Sequence, residues 1–484
     1  MRRPPTVPDR LSFGRKFGFT AGDYACNLYW QSLSIFLLFY YTDVVGLSAA
    51  TAGAIYMVAS IFDGAIDPFM GAIADRTRTR LGRYRPYLLF GGPPLGLAFC
   101  LLYWKPPLSG WALAAAVLVA HLVFRVAYTT LSIPYTALNA RITSSTSERS
   151  TIAGFRMVFA TLAGLTIAYS TQPMVKSFGG ADPARGFLLA AAVFAATATA
   201  IFPLVFAFTR EPPATAAEAS EARLSLADCW RASLRNRAFW LVMVGMTLGS
   251  MGYTTLGKSL LYYFKYVVND ETGARYGASW VWRLAKLLHA TDSQVALSLN
   301  AALGLVAIPA WVFYTRLVGK RGAWLTATAW GLVGLAGFAL LGASTPAAAI
   351  TFYLFMQVST LGIAFSFWSM LPDTVEYGQR VTGLRAEAFL FGLGQFCLKA
   401  ALGLGAGLFG QALGLVGYHA NVAQTPATLA GMKAIIVIIP AVGLVGSALA
   451  MLGYPMGRGA HERIVEDLVA RGAVGLEPQE VGIE

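Results

Sequence analysis

Charge is what this chain has least of. Only 13% of its 484 residues are Asp, Glu, Lys or Arg, about half the usual share of a water-soluble domain. Over such a length that shortage excludes an ordinary soluble enzyme. Cysteine is also scarce: Cys26, Cys100, Cys229 and Cys397 are scattered, with no pair at metal-ligand or redox spacing. Three of them lie in apolar runs and read as small buried residues. The histidines His121, His289, His419 and His461 are equally dispersed, so no zinc site is legible. No Walker A loop, nucleophile elbow or His-Glu-x-x-His pair occurs, which argues against ATP-driven transport and against a membrane enzyme. The basic, Pro-rich stretch Met1 to Lys16 has no cleavable apolar core and reads as a tail before a first span, not as a signal peptide.

What the chain does have is apolar mass. Hydrophobic residues make up 56%, mean hydropathy is +0.57, and there are 50 Gly and 30 Phe, a membrane-like composition. A helix crosses a bilayer with about 20 apolar residues. Runs of that kind begin near Phe17, Thr51, Pro86, Trp111, Thr151 and Gly186, and resume near Phe239, Ser293, Ala323, Ala347, Glu387 and Met432. The spacing predicts an all-α membrane protein with twelve transmembrane helices. The long polar stretch Arg210 to Arg237 divides them six and six, a known transporter arrangement. The expected units are residues 1–209, a linker 210–237, residues 238–455 and a tail 456–484, with one helix in the tail around Glu462 to Ala470.

The net charge of +13 invites a nucleic-acid reading, but the basic residues sit in short clusters between apolar runs. Most of the 37 Lys and Arg fall on the sides that hold the two termini, with the heaviest cluster at Arg76, Arg78, Arg80, Arg83 and Arg85. Positive loops stay inside, so both termini are expected to be cytoplasmic. In the long loop Val267 to Asp292, residues Trp280, Val281, Leu284, Leu287 and Leu288 share one helical face, with Arg283 and Lys286 elsewhere. That pattern predicts a short helix lying on the membrane surface.

Six charged residues cannot be moved easily into loops: Asp23, Asp63, Asp67, Arg125, Arg156 and Lys399. Each costs about 2.5–3.5 kcal/mol at mid-membrane, so lipid exposure of all of them would cost roughly 15–20 kcal/mol. They are expected to face a shared interior, to pair, or to line a wet cavity. Asp63 and Asp67 are four apart and point from one helix face. Such a pair is suited to reversible binding of a proton or a monovalent metal ion such as Na⁺. Arg125, Tyr128 and Ser132 share a face of span four and offer a polar wall to a hydroxylated or anionic solute. Lys399 needs an acidic partner, with Asp23, Asp63 and Asp67 all open as choices. The glycines after it, Gly403, Gly405, Gly407 and Gly410, permit close helix approach.

The loop GAIADRTRTRLGRYRPY, holding Gly71, Asp75, Arg76, Gly82 and Arg83, resembles the loop 2–3 signature of the major facilitator superfamily. YYTDVVGLSAATAG (Tyr40 to Gly53), DGAIDPFMG (Asp63 to Gly71) and PDTVEYGQRVTGLRAEAF (Pro372 to Phe389) resemble the glycoside–pentoside–hexuronide:cation symporter family, whose best-known member is the melibiose permease. The resemblance implies two six-helix bundles around a cavity alternately open to each side of a bacterial-type inner membrane. It implies a cation site at Asp63, Asp67 and Thr129, and a sugar site at Asp23, Tyr128, Arg156 and Lys399 with Gln395 one turn away. It places a conformational gate at Asp75, Arg76, Arg83, Asp373 and Glu376. The melibiose permease has an aspartate at the position of Ser132, a tryptophan at Thr136 and an asparagine at Ile66. The first two differences speak against a galactoside, and the third favours H⁺ over Na⁺.

The function expected is cation-coupled import of a sugar, glycoside or sugar acid, with no cofactor, by a monomer. The alternatives are a carrier of a lysolipid-like amphiphile and a solute sensor that does not transport. Three cationic groups, Arg125, Arg156 and Lys399, set against Asp23 once Asp63 and Asp67 share a cation, predict an anionic solute.

Overall fold

The computed structural model describes residues 12–142, 146–209, 225–268, 287, 291–343, 345–457 and 459–470. The surface helix expected at Trp280 to Leu288 lies outside the described residues except for Leu287, as does most of the linker. Among the described residues the one β pairing is an isolated bridge between Thr79 and Gly82.

Span one is Phe13–Ser32, continued by π-helical Leu33–Leu37 and Tyr40–Val45 up to Gly46, whose φ of 93° suits glycine. Spans two to six are Ala49–Arg76, Arg85–Leu102, Gly110–Arg141, Thr146–Gly179 and Pro183–Phe208. A short helix, Leu226–Arg235, precedes span seven, Arg237–Tyr262, which also ends in a π-helical turn, Tyr263–Val268. Asp292–Leu341 holds spans eight and nine. Spans ten to twelve are Pro346–Thr382, Glu387–Leu415 and Pro426–Leu452, and Ala460–Ala470 forms the tail helix. Nine of these helices are long and apolar enough to cross a membrane by composition, the 50-residue Asp292–Leu341 being one of them. Phe13–Ser32 and Arg85–Leu102 complete the twelve.

The local chemistry accounts for starts and reversals. Ser48, Thr345 and Thr425 cap spans two, ten and twelve by accepting from the amides of Thr51, Ala348 and Thr428. Thr291 and Gln294 form a capping box at the start of span eight. Within Asp292–Leu341 the chain turns at Gly319, with φ 77° and ψ 165°, a conformation reserved for glycine. The turn is a hairpin, because the Tyr314 and Thr326 hydroxyls, twelve residues apart, meet at 3.1 Å. In an unbroken helix they would be about 18 Å apart.

The helices pack as two six-helix bundles. In the first, span one lies against five and six, two against four, and three against four and six. In the second, span seven lies against ten, eleven and twelve, and the eight–nine hairpin against ten and twelve. The halves meet where span two crosses eleven, where five meets the eight–nine hairpin, and where the π-helical end of span one meets seven.

The crossing of spans two and eleven depends on small residues. A Cβ on Gly53 would lie 3.0 Å from the Ala406 carbonyl, and one on Gly403 would lie 2.7 Å from Ser60 Cβ. Gly403, Gly407 and Gly410 face span two, whereas Gly405 faces span seven, where a Cβ would lie 2.8 Å from Thr254 Cβ. One helix is therefore stripped of side chains on two sides and approaches both halves closely.

Candidate functional site

Between the halves lies a chamber of two lobes, each about 370 Å³. Both share Gln31, Ser34, Tyr253 and Gly257 as a common wall. One lobe adds Trp30, Tyr56, Ser60, Asp63, Arg125, Lys258 and Lys399. The other adds Asn300, Tyr353 and Gln357.

Asp63 is 0% exposed and is surrounded by donors. Its Oδ2 accepts from Arg125 Nη1 at 3.2 Å and lies 2.9 Å from Lys399 Nζ. Asp67, one turn on, accepts from the same ammonium at 2.5 Å. The Thr129 hydroxyl sits between the two carboxylates, 2.9 Å from Asp63 Oδ1 and 3.1 Å from Asp67 Oδ1. It has one proton for two acceptors. Of the three acids open to Lys399, the crossing of spans two and eleven selects Asp63 and Asp67.

Arg125, 2% exposed, is not a helix-end residue near the surface. It donates from Nη2 to Ser60 at 3.3 Å and from Nε to His121 Nε2 at 3.2 Å, and its guanidinium lies 5.7 Å and 5.9 Å from the Trp30 and Tyr56 ring centres. Since His121 Nε2 accepts, its proton belongs on Nδ1, and the ring is neutral.

Asp23 and Arg156 form a separate pair nearer the terminal face. Asp23 accepts from Arg156 Nε at 2.9 Å and 3.0 Å and from the Tyr135 hydroxyl at 2.6 Å. Tyr128 stacks on Phe124 at 5.8 Å and tilts against Trp30 at 6.2 Å. Ser132 is half-buried and Gln395 exposed, and neither joins the carboxylate cluster.

The expected charge surplus is therefore corrected. Arg156 is balanced by Asp23, and Arg125 and Lys399 by Asp63 and Asp67, so none of the three is left over. Among the described residues of the central region, the cation without a carboxylate partner is Lys258 of span seven, which was not legible in the sequence. It hides in the polar run Thr254-Thr255-Leu256-Gly257-Lys258-Ser259, where a lysine does not interrupt an apolar stretch.

A second network, also not anticipated, seals the face opposite the termini. The Asp43 carboxylate accepts from Lys265 Nζ at 2.8 Å, Tyr418 at 2.7 Å, Thr42 at 2.7 Å and Tyr266 at 2.5 Å. Asn421 donates to the Asp43 carbonyl at 2.7 Å, and Thr42 meets the Tyr262 hydroxyl at 2.8 Å. A signal was present. Tyr40-Tyr41-Thr42-Asp43 and Tyr262-Tyr263-Phe264-Lys265 end the first span of each half, with Asp43 and Lys265 each in a π-helical turn, and the two charges at matching positions pair across the interface.

The predicted gate residues lie toward the terminal face. Asp75 accepts from the Tyr84 hydroxyl at 2.6 Å, and the Arg83 guanidinium lies 5.8 Å from the Tyr84 ring centre. Burial, reinforced by the Asp75 hydrogen bond, holds the Tyr84 phenol above its ordinary pKa, so it stays a donor. Arg76 is the exposed last residue of its helix. Asp373 binds Lys320 Nζ at 2.7 Å, and Glu376 follows one turn later. Arg83→Ala is expected to lower the transport rate severalfold while leaving solute affinity within twofold, because none of the loop's residues is among those lining the two lobes of the chamber. Initial rates and binding isotherms on the same preparation check this; a change confined to affinity would contradict it.

The model of the family "MFS/sugar transport protein" matches residues 18–458. The chain belongs to this family. Among its relatives, an isoprimeverose transporter of Lactiplantibacillus pentosus is 31% identical, covering 93% of this chain and 90% of that protein. A glucuronide carrier protein homolog of Escherichia coli is 27% identical, covering 95% and 96%. The uncharacterized symporter YnaJ of Bacillus subtilis is 28% identical over 97% of both chains. A crystal structure of the nucleoside transporter NupG superposes with a TM-score of 0.64 at 13% identity, covering 91% of this chain and 99% of that one, a likeness of fold alone. This family member is a multi-pass membrane transporter, not an enzyme.

Proposed function

We propose that this transporter imports a sugar, glycoside or sugar acid with a coupling proton, by rocking its two bundles about the central chamber. The relatives named as carriers of isoprimeverose and of a glucuronide support the solute class. Both termini face the cytoplasm, by the positive-inside distribution of Lys and Arg, in an inner membrane of bacterial type. The state described here, sealed at Asp43, is then the one closed to the outside.

The observation that carries the coupling is the Asp63–Thr129–Asp67 triad. Three oxygen-bearing groups face one another with a single hydroxyl proton among them. A proton taken up by Asp67 would donate to Thr129, which would donate to Asp63, completing the chain. The same proton removes one of the two charges that hold Lys399, which keeps only Asp63, so the join of span eleven to span two weakens as the proton arrives. An Na⁺ ion would instead have to displace the ammonium from both carboxylates. Protonation thus alters a contact between the halves, as a population shift requires.

Uptake into proteoliposomes tests this. Accumulation of a transported sugar is expected under an inward pH gradient and to be unchanged by an inward Na⁺ gradient. Accumulation driven by Na⁺ alone would place the metal ion, not the proton, at Asp63 and Asp67. Equilibration without accumulation under either gradient would remove the coupling.

A further inference from the structure

Lys258 is 4% exposed, lies deep in span seven and lines the chamber. Among the described residues, the other cations of the central region each have a carboxylate: Arg125 has Asp63, Lys399 has Asp63 and Asp67, Arg156 has Asp23, and Lys265 has Asp43. Lys258 pairs with no carboxylate among the described residues. Two of its N–H groups go to span one, to the Ser34 carbonyl at 2.6 Å and the Leu33 carbonyl at 3.1 Å. Its ammonium sits 4.1 Å from the Tyr56 ring centre. The carbonyls come from the opening of the π-helical turn Leu33–Leu37, where regular α-helical pairing is interrupted. Dipoles and the Tyr56 side chain thus hold a charge that no carboxylate among the described residues balances.

A buried cation without a counter-charge is costly, and the group that relieves it best is an anion able to accept its hydrogen bond. The neighbours Gln31, Ser34 and Tyr253 supply hydroxyl and amide partners for a sugar ring. On the sealed face a vestibule of about 380 Å³ is lined by Asp43, Lys176 and Lys265; Lys265 is paired with Asp43, and Lys176 gives the lining a net positive charge, which favours entry of negative solutes.

We propose that Lys258, seated on the π-helical turn of span one, binds the acidic group of the solute and makes the chamber selective for a sugar carrying a carboxylate. This rests on the reading of the chain as a proton-coupled sugar importer and names the charge of its cargo. Lys258 also joins the two halves, so a neutral solute would leave the ammonium clamped to span one. A carboxylate competes for it and loosens that join as it binds.

The test pairs an acid with its neutral counterpart on full-length protein. Methyl β-D-glucuronide and methyl β-D-glucoside, with galacturonate and galactose as a second pair, are titrated against wild type, Lys258→Gln and Lys258→Arg. Wild type is expected to prefer the acid of a pair at least about tenfold, the weight of one charge-assisted hydrogen bond. Lys258→Gln should lose that preference while holding the neutral sugar within twofold, and Lys258→Arg should keep it. Wild type that binds both members equally, or that binds neither acid, overturns the proposal. An equal loss for acid and neutral sugar in Lys258→Gln overturns it too, and leaves Lys258 as a join between the halves. Proton-driven accumulation of the neutral glucoside with no acid preference would sink this inference alone; absence of any sugar accumulation would sink the importer reading beneath it. The wild-type comparison decides the matter even where a variant fails to fold.

Discussion

Asp63→Asn is expected to abolish proton-driven accumulation, a loss of at least about a hundredfold, while part of the solute binding survives. Asp63 is the carboxylate on which Arg125, Lys399 and Thr129 all converge. An asparagine keeps the shape but leaves the buried Arg125 without a carboxylate, while Lys399 keeps Asp67. Removing one partner of a buried ion pair costs about 3–5 kcal/mol, which is a large part of the stability of most proteins. A stability loss alone would also lower uptake, so a second variant is needed. Asp63→Asn combined with Arg125→Gln removes one surplus cation and should recover most of the thermal stability in detergent. It should not recover accumulation, because the Asp63–Thr129–Asp67 chain remains broken. Solute counterflow, which needs no net coupling, should persist in the double variant. Undiminished accumulation under a pH gradient in Asp63→Asn would remove the triad from the mechanism.

That cluster was legible in the sequence for a physical reason. Asp63, Asp67, Arg125 and Lys399 interrupt apolar runs, and a charge in such a run has few places to go but a shared interior. The pairing within the cluster was not legible. Whether Lys399 reaches Asp23 or Asp63 depends on how closely spans two and eleven cross, which the glycines allow but do not specify. Lys258 escaped notice because Thr254, Thr255 and Ser259 around it make its stretch look like a helix end. His121 is one of four scattered histidines in the sequence, yet it supports Arg125 through a single ring nitrogen. The spans themselves followed from apolar length. The break between spans eight and nine was legible in the same way, and the turn at Gly319, where glycine's freedom at positive φ is used, falls just before the expected start near Ala323. The anionic-solute expectation reached its conclusion from a surplus that pairing cancels, and the positive charge that remains comes from a different residue.

Asp43→Ala is expected to open the face away from the termini. Four side chains donate to that one carboxylate, three of them, from Lys265, Tyr266 and Tyr418, reaching it from the opposite half. Without it the Lys265 ammonium keeps only its bond to Asn421 at 2.7 Å and its contacts with the Phe39 and Tyr266 rings. The lost pair, worth about 3–5 kcal/mol when buried, is enough to shift a two-state equilibrium by roughly two to four powers of ten. Span one and span seven are then held together at this end mainly by Thr42 and Tyr262. The readout is access to the chamber rather than transport, since transport fails for many reasons. A single cysteine at Ser34, placed in a chain whose Cys26, Cys100, Cys229 and Cys397 are replaced by serine, reports it. A membrane-impermeant thiol reagent added from that face should label the Asp43→Ala protein at least about tenfold faster than the protein with Asp43 intact. The charge exchange Asp43→Lys with Lys265→Asp restores the pair but not the three hydroxyls arranged around a carboxylate at that point. Its labelling rate should therefore fall between the two. A rate unchanged by Asp43→Ala would mean that the crossing of spans two and eleven, and not this network, keeps the face shut.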